Sequence, residues 1–180
     1  MPKKLSVWVG LSAGLLYTLC LFITWKVGIE SMAAFLTWYA YLPVIFVLVL
    51  GVAWWYRYSS GAFLELKTVI QYALLAYFIY EMVYAVSNYV LYGLLDKDLN
   101  ANLVETLFRQ SETEMRAKGG ENIEARIEEA RKLAESAKKP LTLVQVLIGS
   151  GQNLILHFIK SVIIATIIKQ TNPAAPQKAD

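Results

Sequence analysis

Glu81 stands in the middle of an apolar run that carries no other charge. Thirteen uncharged residues precede it from Thr68, and fourteen follow it to Leu95. A charge at the centre of a bilayer costs about 2.5–3.5 kcal/mol on insertion scales. Such an acid must face a helix-bundle interior, be paired, or be neutral. Tyr77, Tyr84 and Asn88 share its helical face, which makes a polar stripe rather than one stray group. The last apolar run carries a second stripe: Gln145, Gly149, Gln152, Asn153, His157 and Lys160.

Depth brings the two stripes level. Counted inward from the basic flanks, Glu81 is 14 residues from Lys67 and His157 is 12 from Lys169. Those are depths of about 21 and 18 Å at about 1.5 Å per residue, and Lys160 lies at about 14 Å. The spacing predicts a Glu81–His157–Lys160 cluster bordered by Tyr77, Tyr84, Asn88 and Asn153, provided that the third and fourth runs are neighbours. Its chemistry would be a proton or ion relay, a common role of intramembrane acids. The competing reading is a structural pair that fixes helix register, with Lys160 snorkelling to the headgroups.

The elements that must hold these residues follow from composition. The chain has 180 residues, 57% hydrophobic and 17% charged, with a mean hydropathy of +0.44. Soluble domains average about 45–50% apolar and about 25% charged. Charge is also sorted: residues 96–139 hold 19 of the 31 charged side chains. Lys4 and Lys26 enclose 21 uncharged residues, and Glu30 and Arg57 enclose 26. A spanning helix needs about 20. The predicted fold class is all-α: a four-helix transmembrane bundle with spans at about 5–25, 31–56, 68–95 and 140–169, and a water-facing helical hairpin at 96–139 inserted between helices three and four. Pro140 suits the first position of the fourth helix, and residues 170–180, with Pro173 and Pro176, read as a disordered tail. Continuous apolar runs are unlike the alternating segments of a barrel. Trp8, Trp25, Trp38, Trp54 and Trp55 lie towards run ends, as interface aromatics do.

Within 96–139, Asn102 and Glu105 have capping-box spacing. Leu99, Leu103, Leu107 and Phe108 line one predicted helix; Ile123 and Ile127 lead the stripe of the next. The acid-before-base pairs Glu105–Arg109, Glu112–Arg116, Glu114–Lys118, Glu128–Lys132 and Glu135–Lys139 all stand at i,i+4, and Gly119-Gly120 separates the helices. The apolar faces are expected to bury against each other, the alternative being that they contact a partner. Ser6, Gly10, Gly14 and Thr18 form a small-residue ridge on the first span, suited to close helix packing within the chain or to a dimer face.

The order of two plain spans, a short basic loop, a third span, a charged insert and a fourth span resembles a family of uncharacterised bacterial integral membrane proteins. That family is a domain of unknown function typical of one Gram-negative phylum. The local likeness is Arg57-Tyr58-Ser59-Ser60-Gly61-Ala62-Phe63, where the family shows a base, then Gly, then an aromatic before the third span. The resemblance implies a four-helix inner-membrane protein and carries over no catalytic residues.

Several classes are excluded. Cys20 and His157 are the single residues of their types, too few for a disulfide framework or a Cys/His metal cluster. A net charge of +3 is too small for a nucleic-acid footprint. Ser150 and His157 are seven residues apart on one helix, about 10 Å, too far for direct proton transfer. No cofactor is implied, and aromatics such as Tyr72 and Tyr80 read as packing. Lys3, Lys4, Arg57, Lys67, Lys169 and Lys178 against Lys26 place both termini in the cytoplasm and residues 96–139 in the periplasm. The first reading is a non-enzymatic accessory or scaffold subunit of a membrane complex, its partners being the lipid bilayer and other membrane proteins or a second copy. The alternative is a small proton- or ion-coupled transporter using Glu81, His157 and Lys160.

Overall fold

The protein was analysed as a computed structural model, which describes residues 1, 3–61, 64–119, 122–139 and 141–169. Among these it is all-α, with no strand: α1 (Lys3–Val27), α2 (Ile29–Tyr41), α3 (Val44–Ser60), α4 (Leu66–Asn88), α5 (Leu99–Lys118), α6 (Ile123–Ala137) and α7 (Leu143–Ile168). A π-helical segment, Tyr89–Leu95, prolongs α4. The expected tail at 170–180 and the proposed helix start at Pro140 lie outside the described residues, as do Ala62, Phe63 and Gly120.

Among the described residues, three helices are long and apolar enough to cross a membrane: α1, α4 with its π-helical extension, and α7. They become four if α2 and α3 form one broken span. Where the run 31–56 predicts one helix, Pro43 divides it. Proline offers no N–H and disfavours helical geometry in the residue before it; Leu42 accordingly leaves the helix at φ −86°, ψ 121°. Between α1 and α2 the break is the single residue Gly28, at φ 143°, a conformation that only glycine adopts readily.

The chain divides into two compact units. The first takes Met1–Leu15, Pro43–Val83 and the chain from Ser150 onward; the second takes Leu16–Leu42 and Tyr84–Gly149. In the first unit α1, α3, α4 and α7 all contribute to the interior, with Val9, Val49, Val69, Ala73, Ile164 and Ile168 buried. Ser6 is buried there too. Gly10 and Gly14 bring α1 onto α4. A Cβ on Gly10 would meet the carbonyl oxygen of Ala76, and one on Gly14 would stand 2.7 Å from Cβ of Val83. The ridge is therefore filled from within the chain. Tyr72 donates to the Val49 carbonyl (3.4 Å), tying α4 to α3. Arg57 donates to the Ile168 carbonyl (3.3 Å), placing a cation at the negative end of α7.

In the second unit α5 packs against both α2 and α6. Asn100 donates to the carbonyls of Ala137 and Lys139 (2.8 and 2.7 Å), and Arg116 meets Glu124 at 2.7 Å, so α5 and α6 run antiparallel. Leu99, Leu103 and Ile127 are buried; Leu107, Phe108 and Ile123 are half-buried. As partner contacts the first three are corrected: an amphipathic helix with a neighbour in its own chain buries its stripe there first. Three of the five expected i,i+4 pairs form, at Arg109, Arg116 and Lys118. Among the described residues Glu128–Lys132 and Glu135–Lys139 do not; Lys138 bonds Glu135 and reaches across to Glu105.

The expected capping box at Asn102 is also corrected. Helix α5 already begins at Leu99, and the Asn102 N–H donates to the Asp98 carbonyl inside it. The reciprocal box stands instead at the start of α7. There Gln145 Oε1 accepts from the Thr142 N–H (2.9 Å), and Thr142 Oγ1 accepts from the Gln145 N–H (3.3 Å). Two donors that no helical carbonyl can serve are satisfied together.

Candidate functional site

The site lies in the first unit, where α4 faces α7. Glu81 is buried, with 2% of its surface exposed. Two residues one turn apart on α7 hold its two oxygens separately. Asn153 Nδ2 donates to Oε1 at 3.1 Å, and His157 Nε2 lies 3.2 Å from Oε2. The i,i+4 spacing explains the fit: side chains at that interval stack on one helix face, about 6 Å apart along the axis.

The imidazole is held as firmly as the carboxylate. Tyr77, one turn before Glu81 on α4, stacks on the His157 ring with centroids 4.4 Å apart and planes 11° apart. Tyr80 meets the same ring edge-on at 6.2 Å. Ser161 donates to the His157 carbonyl at 2.7 Å, inside the buried face of α7. The imidazole thus has a ring on one face, a ring edge beside it and a carboxylate at one nitrogen. Tyr77 Oη and His157 Nδ1 are buried and have no hydrogen-bond partner among the described residues.

The sequence-predicted residues separate into three groups. Glu81, Tyr77, Asn153 and His157 come together as described. Lys160 is half-buried and makes no ion pair or hydrogen bond among the described residues, so the three-member cluster is corrected to a pair. Both Glu81 oxygens are already engaged, and Lys160 lies most of a turn beyond His157 along α7. Tyr84 and Asn88 belong to the second unit. There Tyr17 donates to Asn88 Oδ1 (3.2 Å), Asn88 Nδ2 donates to the Tyr84 carbonyl (2.7 Å), and Tyr17 packs on the Tyr84 ring at 4.7 Å. Thr18 of the small-residue ridge pairs with Ser87 at 2.6 Å in the same unit. Sequence reasoning missed Ser161, although it stands four residues after His157 on the same face. It read Tyr80 as packing, since aromatics at such spacings more often pack.

This arrangement holds a carboxylate–imidazole hydrogen bond away from water, with aromatic walls. Among the described residues no three His, Cys, Asp or Glu side chains converge as metal ligands.

Fold and site together define a protein that, among the described residues, is all-α, with three or four helices apolar enough to span a membrane and a buried acid–histidine pair between two of them. The chain belongs to the family described as a protein of unknown function, DUF4199, which it matches over residues 6–170. No curated protein and no solved structure matches it.

Proposed function

We propose that this is a multi-pass membrane protein that carries a proton or ion through the Glu81–His157 pair. The single observation that supports it is the 3.2 Å contact between two buried ionisable side chains near the middles of two span-length apolar helices. Ionisable groups at that depth are costly and by default functional. The proton of a carboxylate–imidazole hydrogen bond can rest on either partner. Such a pair can therefore take up and release a proton with little movement of heavy atoms.

In this reading α1, the broken pair α2–α3, α4 and α7 are the four spans of a bundle, with α5 and α6 in water. Both termini face the cytoplasm of a bacterial inner membrane and residues 96–139 face the periplasm, as the basic flanks favour. The chain acts without covalent catalysis. The accessory-subunit reading drew on the lack of a recognisable catalytic set, on the small-residue ridge and on a rigid charged hairpin outside the membrane. Gly10 and Gly14 of that ridge pack on α4, and Leu99, Leu103 and Ile127 of the hairpin are buried in the chain.

The test is proton flux into proteoliposomes under an imposed pH gradient, for the native chain, Glu81→Gln and His157→Gln. The expected result is flux above that of empty liposomes, reduced about tenfold or more in both variants with helix content kept. Equal flux in the native chain and Glu81→Gln, or none above empty liposomes, would overturn the reading.

A further inference from the structure

Gln152 lies on the side of α7 away from the acid–histidine site. Five residues place it about 140° around the helix from His157. It is exposed, whereas His157, Ser161, Ile164 and Ile168 are buried. With Leu156, Ile159, Ile163 and Thr166, all exposed, it makes a stripe at spacings of four, three, four and three residues. That alternation is the seam of a left-handed helix pair.

The apolar members of the stripe need no protein partner in a bilayer, because lipid tails are as apolar as they are. Thr166 is satisfied by the Val162 carbonyl at 2.9 Å. Gln152 differs, making no hydrogen bond among the described residues. It stands nine residues from the start of α7 and sixteen from its end, about 14 and 24 Å. Its side chain reaches neither headgroup layer, and an unsatisfied carboxamide in hydrocarbon is costly.

The occupant that answers this residue is the same residue. A carboxamide holds two donors and an acceptor, so two copies related by a two-fold axis through Gln152 each donate to the other, as a self-complementary interface requires. The stripe carries no charge, so no like charges meet when it faces itself. One polar residue in an apolar seam also fixes register.

We propose that α7 pairs with α7 of a second copy of this chain along Gln152, Leu156, Ile159 and Ile163, with the two Gln152 side chains hydrogen-bonded across the axis. The proposal rests on α7 spanning a bilayer but not on proton transfer at Glu81.

The experiment is oxidative cross-linking in native membranes. Single cysteines are placed in a Cys20→Ser background at Leu156→Cys, Ile159→Cys and Ile163→Cys, with Phe158→Cys as the off-stripe control. Native mass in mild detergent is measured for the unmodified chain, Gln152→Leu and Gln152→Asn. Covalent dimers are expected on the stripe and not at Phe158. The native mass should be that of two chains, Gln152→Leu should weaken the dimer about three- to tenfold, and Gln152→Asn should keep most of it. Four results would overturn the proposal: a monomeric native chain, equal cross-linking at Phe158, no effect of Gln152→Leu, or a different protein in place of the second copy. Embedded monomers would sink this pairing alone and leave the flux reading standing. Absence from the membrane fraction would sink both.

Discussion

His157 Nε2 lies 3.2 Å from Glu81 Oε2 across α7 and α4, and Asn153, one turn earlier on α7, holds the other carboxylate oxygen. The acid is thus gripped at both oxygens by one helix face. Tyr77 and Tyr80 close over the imidazole.

Breaking one half of this pair should cost more than removing both. His157→Leu leaves Glu81 buried without its ring partner and is expected to lose about 3–5 kcal/mol, while Glu81→Leu with His157→Leu loses clearly less than either single change. Reversible unfolding in detergent, run as a double-mutant cycle, measures the coupling; additive losses would place the two side chains out of contact. His157 is the single histidine of the chain. Its 15N signals therefore need no assignment, and Glu81→Gln should move them.

Two glycines of similar helical setting should respond oppositely to alanine. At Gly10 the new methyl would press on the Ala76 carbonyl and stand 2.8 Å from Ile79 Cβ, and backbone cannot step aside. Gly10→Ala should destabilise by about 1–3 kcal/mol. At Gly51 nothing lies within 4 Å of the added Cβ, so Gly51→Ala should be neutral or stabilising by up to about 1 kcal/mol through helix propensity. Comparing the two melting temperatures in one detergent checks the sign at each site.

The contact between α5 and α6 should loosen at both ends of the pH range. The hydrogen bond from Lys138, assisted by Arg109, holds the Glu105 carboxyl below its ordinary value, and Glu105, then Glu135, raise the Lys138 ammonium. A depressed carboxyl contributes stability above its unfolded value and loses it as pH falls through the folded one. A raised ammonium contributes below its unfolded value and loses it as pH rises through the folded one. Amide exchange across 100–137, corrected for intrinsic rates, should show protection falling below about pH 4. Glu105→Gln should flatten that acid limb, and salt should weaken the native effect, since both groups are open to solvent.

How far the site was legible follows from what spacing can say. The residue count from Lys67 and from Lys169 predicts similar depth for Glu81 and His157, because rise per residue in a helix is fixed. It assigns Lys160 to the same cluster, because depth alone does not say which side chain reaches the carboxylate first. Tyr84 and Asn88 share a helical face with Glu81, but Tyr17, a residue of another helix, takes Asn88. Pro43 is visible in the sequence, and its missing N–H and the constraint on Leu42 break the run from Ile29 to Ser60. The Thr142–Gln145 box, three residues apart, is equally visible in the sequence.

Helical segments, the sorting of apolar from charged stretches and one acid inside a span-length run can all be read along the chain. Each of these is a one-dimensional property: the length of a run, a period near 3.6, a charge where none is expected. The fold settles who meets whom. It placed Gly10 and Gly14 against α4, buried Leu99, Leu103 and Ile127 within the chain, and gave Glu81 to Asn153 and His157 while leaving Lys160 without a partner among the described residues. Helical period names a face, but which neighbour covers that face depends on the packing of segments far apart in the chain.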